Sequence, residues 1–419
     1  MAQEKKLILQ PRYMKDFACI GSACTENCCD AGWGIMVEKN LYEKYRNFRE
    51  RGWRNKFSES VKRNRTAVTP EAYAKIKLTA QGTCPFLNKE RLCEVQLKFG
   101  ESHLPTICVS YPRIGNLVDG NLEKSLTMSC PEAIRQALLD PDVMEFDEVG
   151  EGQTGRVHIQ GSFQTESNKP IRCSQQFFWK LRIFTISLLQ NRTYALWQRL
   201  IILGLFYQKL DQLFNSHEYE QVLPLLEQYE QSIQAGIWQE ELDAIPTELT
   251  LQMEILKELS DELILTDKMN PVIKAHFMRC FIKFLHGVGY HEGEERADIT
   301  ARYQEAYQHY FQPFMQQYEH VLEHYLVNFV FQNLFPFSGY GSVFKNYIML
   351  VLHYSILKML MIGTAGYEKE AFNQENIIQI IQTFTQNIGH SPKFLTHLFK
   401  IIEQNEMDNM AYMAILIKN

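Results

Sequence analysis

The residues of this 419-residue sequence that are best suited to bind ligands or react are its cysteines. Eight of the ten fall in the first 130 residues, as Cys19-x4-Cys24-x3-Cys28-Cys29, Cys84-x8-Cys93, Cys108 and Cys130. Four thiolates satisfy a tetrahedral zinc ion or one [4Fe–4S] cluster, so eight supply one site with spare thiols or two complete sites. We predict that the metal ligands are drawn from Cys19, Cys24, Cys28, Cys29, Cys84, Cys93 and Cys108.

The spacing of the thiols discriminates between metals. Structural zinc sites usually contain Cys-x2-Cys pairs, which are absent here, and no histidine follows at zinc-finger spacing. An iron–sulfur cluster is therefore favoured, with zinc as the alternative. A further alternative is that some thiols are small buried hydrophobes, and it carries more weight for Cys130 and for the isolated Cys173 and Cys280.

The expected compartment bears on the same choice. The N-terminal residues include two lysines but no apolar core of signal-peptide length, so we expect a cytoplasmic protein. Disulfides are rare in that reducing compartment, where clustered thiols usually bind metals or carry out redox chemistry. The most apolar stretch, 347–363, includes His353 and Lys358 and is short for a membrane span, so it is interpreted as a buried helix and no membrane partner is expected.

Charge and hydrophobic periodicity divide the chain. Residues 1–135 carry 22 Lys and Arg against 15 Asp and Glu, whereas the whole chain has a net charge of −6, so the remainder is acidic. Short helical pieces separate cysteine-bearing loops in the first part, and helical spacing dominates beyond Phe177. We predict a mainly α protein, with a loop-rich cysteine-cluster domain over 1–140, a linker over 141–173 and an all-α helical domain over 174–419.

Helices within the helical domain follow from the recurrence of apolar residues at three and four. The pattern predicts them over 219–234, 248–264, 272–288, 300–334, 341–363 and 392–403. Glycines such as Gly287, Gly363 and Gly366 are expected to mark helix breaks.

A basic run from Lys44 to Arg65 contains nine Lys and Arg with four aromatic residues interleaved. Such a pattern can follow a nucleic-acid backbone or contact an acidic protein. The favoured interpretation is a solvated amphipathic helix pair whose aromatic side chains face the core, so a nucleic-acid partner is not expected.

Four segments that contain the cysteines resemble a known family. They are FACIGSACTENCCDAGW (17–33), AKIKLTAQGTCPFLNKERLCEVQLKFG (74–100), HLPTICVSYPR (103–113) and SLTMSCPEAIR (125–135). In order, spacing and intervening residues they are similar to the flagellin lysine-N-methylases of flagellated bacteria. They also resemble, more loosely, small cysteine-cluster proteins proposed to chelate zinc or iron. The match covers about 1–140, and the rest of the chain resembles the family in length and in its helical pattern.

The resemblance implies transfer of a methyl group from S-adenosylmethionine to lysine side chains of flagellin in the cytoplasm, with involvement of a [4Fe–4S] cluster. No G-x-G-x-x-G loop is present, so the methyl-donor site is expected to be unconventional. A cluster iron without a protein ligand can bind the donor's amino and carboxylate groups, as in radical enzymes. Their usual signature is Cys-x3-Cys-x2-Cys, and this sequence departs from it, because Ala31 follows Cys24-x3-Cys28 at the third position.

Arg113 is the candidate donor-binding residue. It follows Cys108 closely and can meet the donor's carboxylate or neutralise an anionic cluster, although an ordinary surface arginine is an equally weighted interpretation. The alternative function is a non-catalytic zinc- or iron-binding interaction module, or an export chaperone. The sequence leaves open the catalytic residues, the number of methyl groups transferred and the oligomeric state.

Overall fold

The structure is a computed structural model, and the residues that it describes are 7–24, 26–66, 69–150, 156–166, 173–265, 271–291, 293–388 and 392–418. Long helices fill the C-terminal part and short elements the N-terminal part. The mainly α fold class expected from the sequence is therefore confirmed.

Eight short strands form two sheets in the N-terminal part. The strands are β1 (Leu7–Pro11), β2 (Met36–Val37), β3 (Val61–Arg63), β4 (Ala74–Ile76), β5 (Arg113–Val118), β6 (Asn121–Leu126), β7 (Phe146–Gly150) and β8 (His158–Phe163). The larger sheet has the order β7-β1-β6-β5-β8 and the smaller one the order β2-β4-β3. Sequence analysis predicted no sheet, and two of the strands, β7 and β8, lie in the stretch 141–173 that was interpreted as a linker.

The hairpin β5–β6 explains how the larger sheet begins locally. Asp119 and Gly120 connect the strands and both have positive φ, +50° and +80°, as a two-residue hairpin turn requires. The register pairs Val118 with Asn121 directly across this turn. The remaining pairings of the sheet are long-range, since β1 runs parallel to β6 and β8 runs parallel to β5.

Five short helices accompany the strands, α1 (Lys39–Arg46), α2 (Arg51–Ser60), α3 (Glu94–Phe99), α4 (Thr106–Ser110) and α5 (Pro131–Leu138). The basic run 44–65 spans α1, α2 and β3. Its aromatic side chains Tyr45 and Phe57 are buried and stacked at 4.0 Å between ring centroids, while Arg46, Arg51 and Arg54 are exposed. The interpretation as an amphipathic helix pair is confirmed.

The C-terminal part consists of twelve further helices in the described ranges: α6 (Phe178–Leu189), α7 (Leu196–Asn215), α8 (Val222–Gln234), α9 (Gln239–Asp243), α10 (Leu249–Leu265), α11 (Pro271–Gly287), α12 (Arg296–Ala306), α13 (Gln312–Gln332), α14 (Val343–Glu368), α15 (Gln374–Ile388), α16 (Pro392–Gln404) and α17 (Met410–Ile417). A π-helical turn, Tyr307–Phe311, joins α12 to α13. All the helices that were expected from the periodicity are present.

Helix α14 is the centre of this part. The helical stretch Val343–Ala371 is long and apolar enough to span a membrane by length and composition alone, but its most apolar window is 100% buried within the protein. The interpretation of 347–363 as a buried helix is confirmed. Gly363 and Gly366 were expected at helix breaks, which is wrong, because both lie inside α14. A Cβ on Gly287 would approach the Gly363 carbonyl oxygen to 1.8 Å, so these glycines allow α11 and α14 to pack closely.

Buried apolar side chains form two main clusters, which define two lobes. The cysteine lobe comprises residues 29–66 and 69–109, and its core is Val37, Leu41, Tyr45, Phe57, Val61, Ala74, Ile76, Cys84, Phe86, Val95 and Leu104. The helical lobe comprises β1, β5–β8 and α5–α17, and its core runs continuously from Tyr13 to Ile417. Packing therefore joins the five-stranded sheet to the helices. The sequence-based domain limits at 140 and 173 stay predictions.

A buried ion pair fastens the sheet to the helices. Arg182 of α6 donates two hydrogen bonds of 2.8 Å to the carboxylate of Glu123 in β6, and a third of 2.9 Å to the carbonyl oxygen of Phe331. Both charged side chains are 2% exposed. The bidentate geometry compensates each charge for its removal from water.

Candidate metal centre

A cavity of about 650 Å³ lies where the cysteine lobe meets the helical lobe. Six thiols line it: Cys19, Cys28, Cys29, Cys84, Cys93 and Cys108. Most of the remaining wall comes from apolar side chains of the cysteine lobe, and two amides, Gln386 and Asn387, come from the end of α15. The cavity therefore needs both lobes to be complete.

Hydrogen bonds to the backbone bring Cys29 and Cys84 together. Asn27 accepts a hydrogen bond from the Cys29 amide at 2.8 Å through its Oδ1 and donates from Nδ2 to the Arg91 carbonyl oxygen at 2.8 Å. The Cys84 amide donates to the Cys29 carbonyl oxygen, also at 2.8 Å. Residues 55 positions apart in sequence are thus adjacent in the wall of the cavity.

A tight turn explains the spacing of Cys84 and Cys93. Leu87 and Cys93 form an antiparallel bridge, and the Asn88 amide donates to the Leu92 carbonyl oxygen at 2.9 Å to close the turn. Arg91 adopts a φ of +60° there. The chain therefore reverses between the two cysteines, and Cys93 sits at the start of α3, where two backbone amides point toward its sulfur.

Helix α4 and the residues after it supply further lining residues. Glu38 anchors this helix, because its Oε1 accepts the Thr106 amide at 2.7 Å, and Cys108 then projects into the cavity. Tyr111 packs edge-on against Trp33, with ring centroids 4.7 Å apart. Arg113 also lines the cavity, with its guanidinium 4.9 Å from the Phe17 ring centroid.

Three of the thiols are coupled by hydrogen bonds. The Cys29 side chain hydrogen-bonds with those of Cys28 and Cys84, an interaction that lowers the pKa of both of those thiols and raises the pKa of Cys29. A thiol with a lowered pKa is more readily a thiolate, which is the form that binds metals. The three thiols therefore form one hydrogen-bond network in which two have a lowered pKa.

Two other thiols of the cavity, Cys93 and Cys108, are harder to ionise than an exposed thiol. Burial raises the pKa of Cys93, against hydrogen bonds from the backbone amides of Gln96 and Val95. Burial also raises the pKa of Cys108, whose side chain is exposed to the cavity but surrounded by protein. Binding of a cation would offset these costs, because it stabilises the charged form.

The structure gathers six of the seven predicted ligands around one cavity. Cys24, the seventh, does not line it, and its sulfur lies 3.3 Å from the Glu26 carbonyl oxygen. Cys130 is half-buried against the helical core, and burial raises its pKa to about 12. Cys280 is buried within the helical core, while Cys173 is half-buried just before α6. The choice of ligands stays a prediction.

Sequence reasoning missed three lining residues. Trp33 lies within the segment that carried the resemblance, but its aromatic ring was not singled out. Gln386 and Asn387 belong to α15, which was not among the helices named from the sequence. The only sequence signal for them was the apolar spacing of Ile377, Ile380 and Ile381, which identifies a helix but does not say what its end touches.

The arrangement of the possible metal ligands bears on the kind of metal centre. Among the described residues, no three His, Cys, Asp or Glu side chains converge on a point that would hold a single metal ion. A [4Fe–4S] cluster is a wider object, held at its corners by separate thiolates. Six thiols are spread over the wall of one cavity, and the identity of the metal stays a prediction.

The fold and the site define a mainly α-helical protein with a thiol-lined cavity between its lobes. A family model described as the FliB lysine N-methylase C-terminal domain matches residues 182–416. The chain belongs to the FliB lysine N-methylase family, as the resemblance of the cysteine segments implied.

Individual relatives agree with this assignment. The chain is 25% identical over 407 residues to proteins named lysine-N-methylase from Salmonella choleraesuis and Salmonella typhimurium, covering 94% of this chain and 95% of each relative. It is 33% identical over 145 residues to the flagellar biosynthetic protein FliU of Salmonella muenchen, which covers 34% of this chain and 82% of that protein. No solved structure matches the chain.

Proposed function

We propose that this protein is a lysine N-methyltransferase that uses S-adenosylmethionine, acts on flagellin lysines in the cytoplasm and holds a [4Fe–4S] cluster in the thiol cavity. The observation that carries the proposal is the convergence of six thiols on one cavity in a chain of the FliB lysine N-methylase family. The names of the relatives support lysine methylation and a flagellar substrate.

The residues fit the cluster by number and chemistry. Cys28, Cys29 and Cys84, whose side chains form one hydrogen-bond network, would supply three ligands, and the fourth iron would carry no protein ligand. When bound, a cluster with one iron free of protein ligands supplies a coordination position for the amino and carboxylate groups of the methyl donor. Cys19, Cys93 and Cys108 then remain as spare thiols of the cavity.

The methyl donor would bind in the rest of the cavity. Arg113 offers a guanidinium for the donor's carboxylate, and Trp33 and Tyr111 offer aromatic surface for its purine. A Gly-rich dinucleotide loop is absent from the sequence, so binding through these side chains replaces the usual mode.

The chain's own contribution to the reaction is desolvation and orientation. The nucleophile is a neutral lysine amine, whereas free lysine is protonated at pH 7. Apolar lining residues such as Ile35, Val95 and Ile107 exclude water, and Arg113 adds positive charge, and both effects lower the pKa of an ammonium. The amine then attacks in line, so that the new N–C bond forms as the donor's C–S bond breaks.

The test is methylation of flagellin by protein purified without oxygen. Protein of known iron content is incubated with flagellin and S-adenosylmethionine carrying an isotopically labelled methyl group, and flagellin peptides are analysed by mass spectrometry. We expect label on lysine with wild-type protein and none with Cys84→Ala. Full iron content without any labelled lysine would overturn the methyltransferase and favour a metal-binding export chaperone. Methylation by protein that contains only zinc would overturn the cluster.

A further inference from the structure

We propose that the Glu101 carboxylate, at the mouth of the thiol cavity, binds the ammonium group of the acceptor lysine before the side chain enters the cavity. This inference rests on the proposed function and deepens it, since it assigns a binding residue to the acceptor rather than to the methyl donor. Its basis is the distribution of charge around the cavity and the way in which the turn that carries Glu101 is held.

The described residues that line the cavity include one acidic and one basic side chain. Glu101 is the only Asp or Glu among them, and Arg113 is the only Lys or Arg. Thiols, aromatic and aliphatic side chains, amides and glycines make up the rest of the lining. A single carboxylate beside such weakly polar walls is screened less than one in open water, so it attracts an entering cation strongly.

The Glu101 side chain can be reached from solvent. It is exposed, whereas Cys84 in the wall of the same cavity is 5% exposed, so Glu101 lies at the mouth. Within the part of the chain that the structure describes, its carboxylate forms no hydrogen bond or ion pair. Glu38, a second carboxylate near Cys108, does not line the cavity, and its Oε1 accepts the Thr106 amide at 2.7 Å. Glu101 is therefore the acid that is available to a cation at the mouth.

Hydrogen bonds to its carbonyl oxygens hold the turn that carries Glu101. The turn follows α3 at Gly100, whose φ of +71° ends that helix. The Leu104 amide donates to the Glu101 carbonyl oxygen at 3.0 Å, and the Arg156 guanidinium donates to the same oxygen. Lys44 Nζ donates to the carbonyl oxygen of the next residue at 3.1 Å. The backbone is thus fixed, and the Glu101 side chain starts from a defined position.

Two cations lie near this turn, and both are engaged by the backbone. Lys44 and Arg156 donate to main-chain oxygens, and neither forms an ion pair with the Glu101 carboxylate in the described residues. They hold the turn and leave the carboxylate oxygens open to a third cation. A lysine ammonium suits such a site, because it carries three N–H donors on a long flexible chain.

Binding at Glu101 precedes the reaction. Lysine at pH 7 is almost entirely the ammonium, so that form is the one that first meets the protein. Glu101 attracts it at the exposed mouth, whereas apolar lining residues such as Val95 and Ile107 favour the neutral amine that reacts. The ammonium gives its proton to water as it leaves the mouth. The acceptor is thus drawn by Glu101, while the methyl donor's carboxylate is drawn by Arg113.

The experiment measures peptide binding separately from turnover. A flagellin peptide with one lysine and blocked ends is titrated into iron-loaded protein saturated with S-adenosylhomocysteine. Glu101→Gln should weaken its binding at least about 5-fold at low ionic strength, because the opposite charge at the mouth is lost. The difference between the two proteins should shrink at high salt, since ions screen exposed charges. Binding of S-adenosylhomocysteine itself should stay the same.

A second peptide, in which norleucine replaces the lysine, tests whether Glu101 acts on the amine. Norleucine keeps the carbon chain without the nitrogen, so Glu101→Gln should not change the affinity of this peptide. Glu101→Asp, which keeps the charge, should retain part of the affinity for the lysine peptide. The matched control is Glu59→Gln, which removes an exposed carboxylate of the cysteine lobe outside the cavity lining and should change neither peptide affinity.

Three results would overturn the proposal. The first is unchanged binding of the lysine peptide by Glu101→Gln. The second is equal weakening of both peptides, which would place Glu101 against another part of the acceptor. The third is weaker S-adenosylhomocysteine binding with peptide binding unchanged, which would assign Glu101 to the methyl donor's amino group. Wild-type protein that binds the lysine peptide through Glu101 but transfers no methyl group would contradict the proposed function and leave the lysine site.

Discussion

The two lobes differ in what holds them together. The cysteine lobe has eleven buried apolar residues in its core, and one of them is Cys84 itself. The helical lobe has a continuous core around α14, whose residues from Val343 to Ala365 are almost all buried. A small core stabilises a fold weakly, because little apolar surface leaves water. We therefore expect the stability of the cysteine lobe to depend on the proposed metal and the stability of the helical lobe to depend on its packing.

The lobes also differ in where their polar groups are used. In the helical lobe, Arg182 donates two hydrogen bonds to the Glu123 carboxylate across the sheet–helix contact. In and beside the cysteine lobe, the side chain of Cys29 hydrogen-bonds with those of Cys28 and Cys84, and all three line the cavity. The ion pair connects two elements of the fold, whereas the three thiols are placed where a ligand can bind.

Removal of the metal should have the largest effect and should separate the lobes. If metal binding supplies folding energy, chelation should raise hydrogen exchange of backbone amides in β2, β4 and α3 at least about 100-fold, while amides of α7 and α14 keep their protection. Mass spectrometry of peptic fragments measures this directly. Equal loss of protection in both lobes would contradict the independence of the helical lobe.

Two buried cysteines provide the matching mutational contrast. Cys84→Ala should abolish metal binding and reduce methylation at least about 100-fold, because it removes a proposed ligand. Cys280→Ala, at an equally buried position in the helical lobe, should lose about 1 kcal/mol of stability and keep its iron and activity. Iron content and methylation rate decide, and similar losses in the two variants would argue against the cavity as the metal centre.

Breaking the buried ion pair should destabilise the helical lobe without touching the metal. Glu123→Gln leaves the Arg182 charge buried without a counter-charge, which should cost about 3–5 kcal/mol in the free energy of unfolding. Denaturant titration measures the cost, and iron content should be unchanged. The exposed pair of Arg135 and Glu375 is the control, since Glu375→Gln should cost at most about 1 kcal/mol.

Two glycine substitutions should change stability in opposite directions. A Cβ on Gly363 would lie 2.3 Å from Phe284 Cδ2 and 2.8 Å from Phe284 Cα, so Gly363→Ala should destabilise the helical lobe by about 1–3 kcal/mol. A Cβ on Gly52 of α2 meets nothing within 4 Å, so Gly52→Ala should stabilise the cysteine lobe by up to about 1 kcal/mol. Thermal unfolding of each variant tests both signs.

Acidification should weaken the helical lobe progressively. Burial lowers the pKa of His324 to about 4 and of His353 to about 3, below their ordinary value of 6.5. Below pH 6.5 the unfolded chain therefore binds protons that the folded chain does not, so stability falls as pH falls, by up to about 1.4 kcal/mol per pH unit for each histidine. Denaturant titrations between pH 7 and 5 should show this slope.

His353→Gln supplies the control for the acid effect. It removes one of the most strongly shifted groups, so its stability should depend less steeply on pH than that of the wild type. A slope unchanged by the substitution would assign the acid sensitivity to other groups. The cysteine lobe contains one histidine, His103, which is half-buried, so its exchange rates should respond less.

Much of the fold could be predicted where the signals are local. Apolar spacing identified the long helices, because each helix has a period that neighbouring residues reveal. The sheet was missed, although Asp119–Gly120 between two strand-like runs is a hairpin signal. The parallel pairings of β1 with β6 and of β5 with β8 have no local signal. Gly363 and Gly366 were misplaced because a glycine that ends a helix and one that admits a neighbouring helix look alike in sequence.

The candidate site divides in the same way. The clustering of eight thiols in the first 130 residues by itself predicted that this part of the chain binds a metal, since thiolates are strong metal ligands. Only the tertiary structure decided that Cys24 lies off the cavity while Cys84, Cys93 and Cys108 line it, and that Asn387 completes it from more than 270 positions away. The reason is physical, because a residue's type fixes what it can bind, whereas its neighbours across the fold fix what it meets.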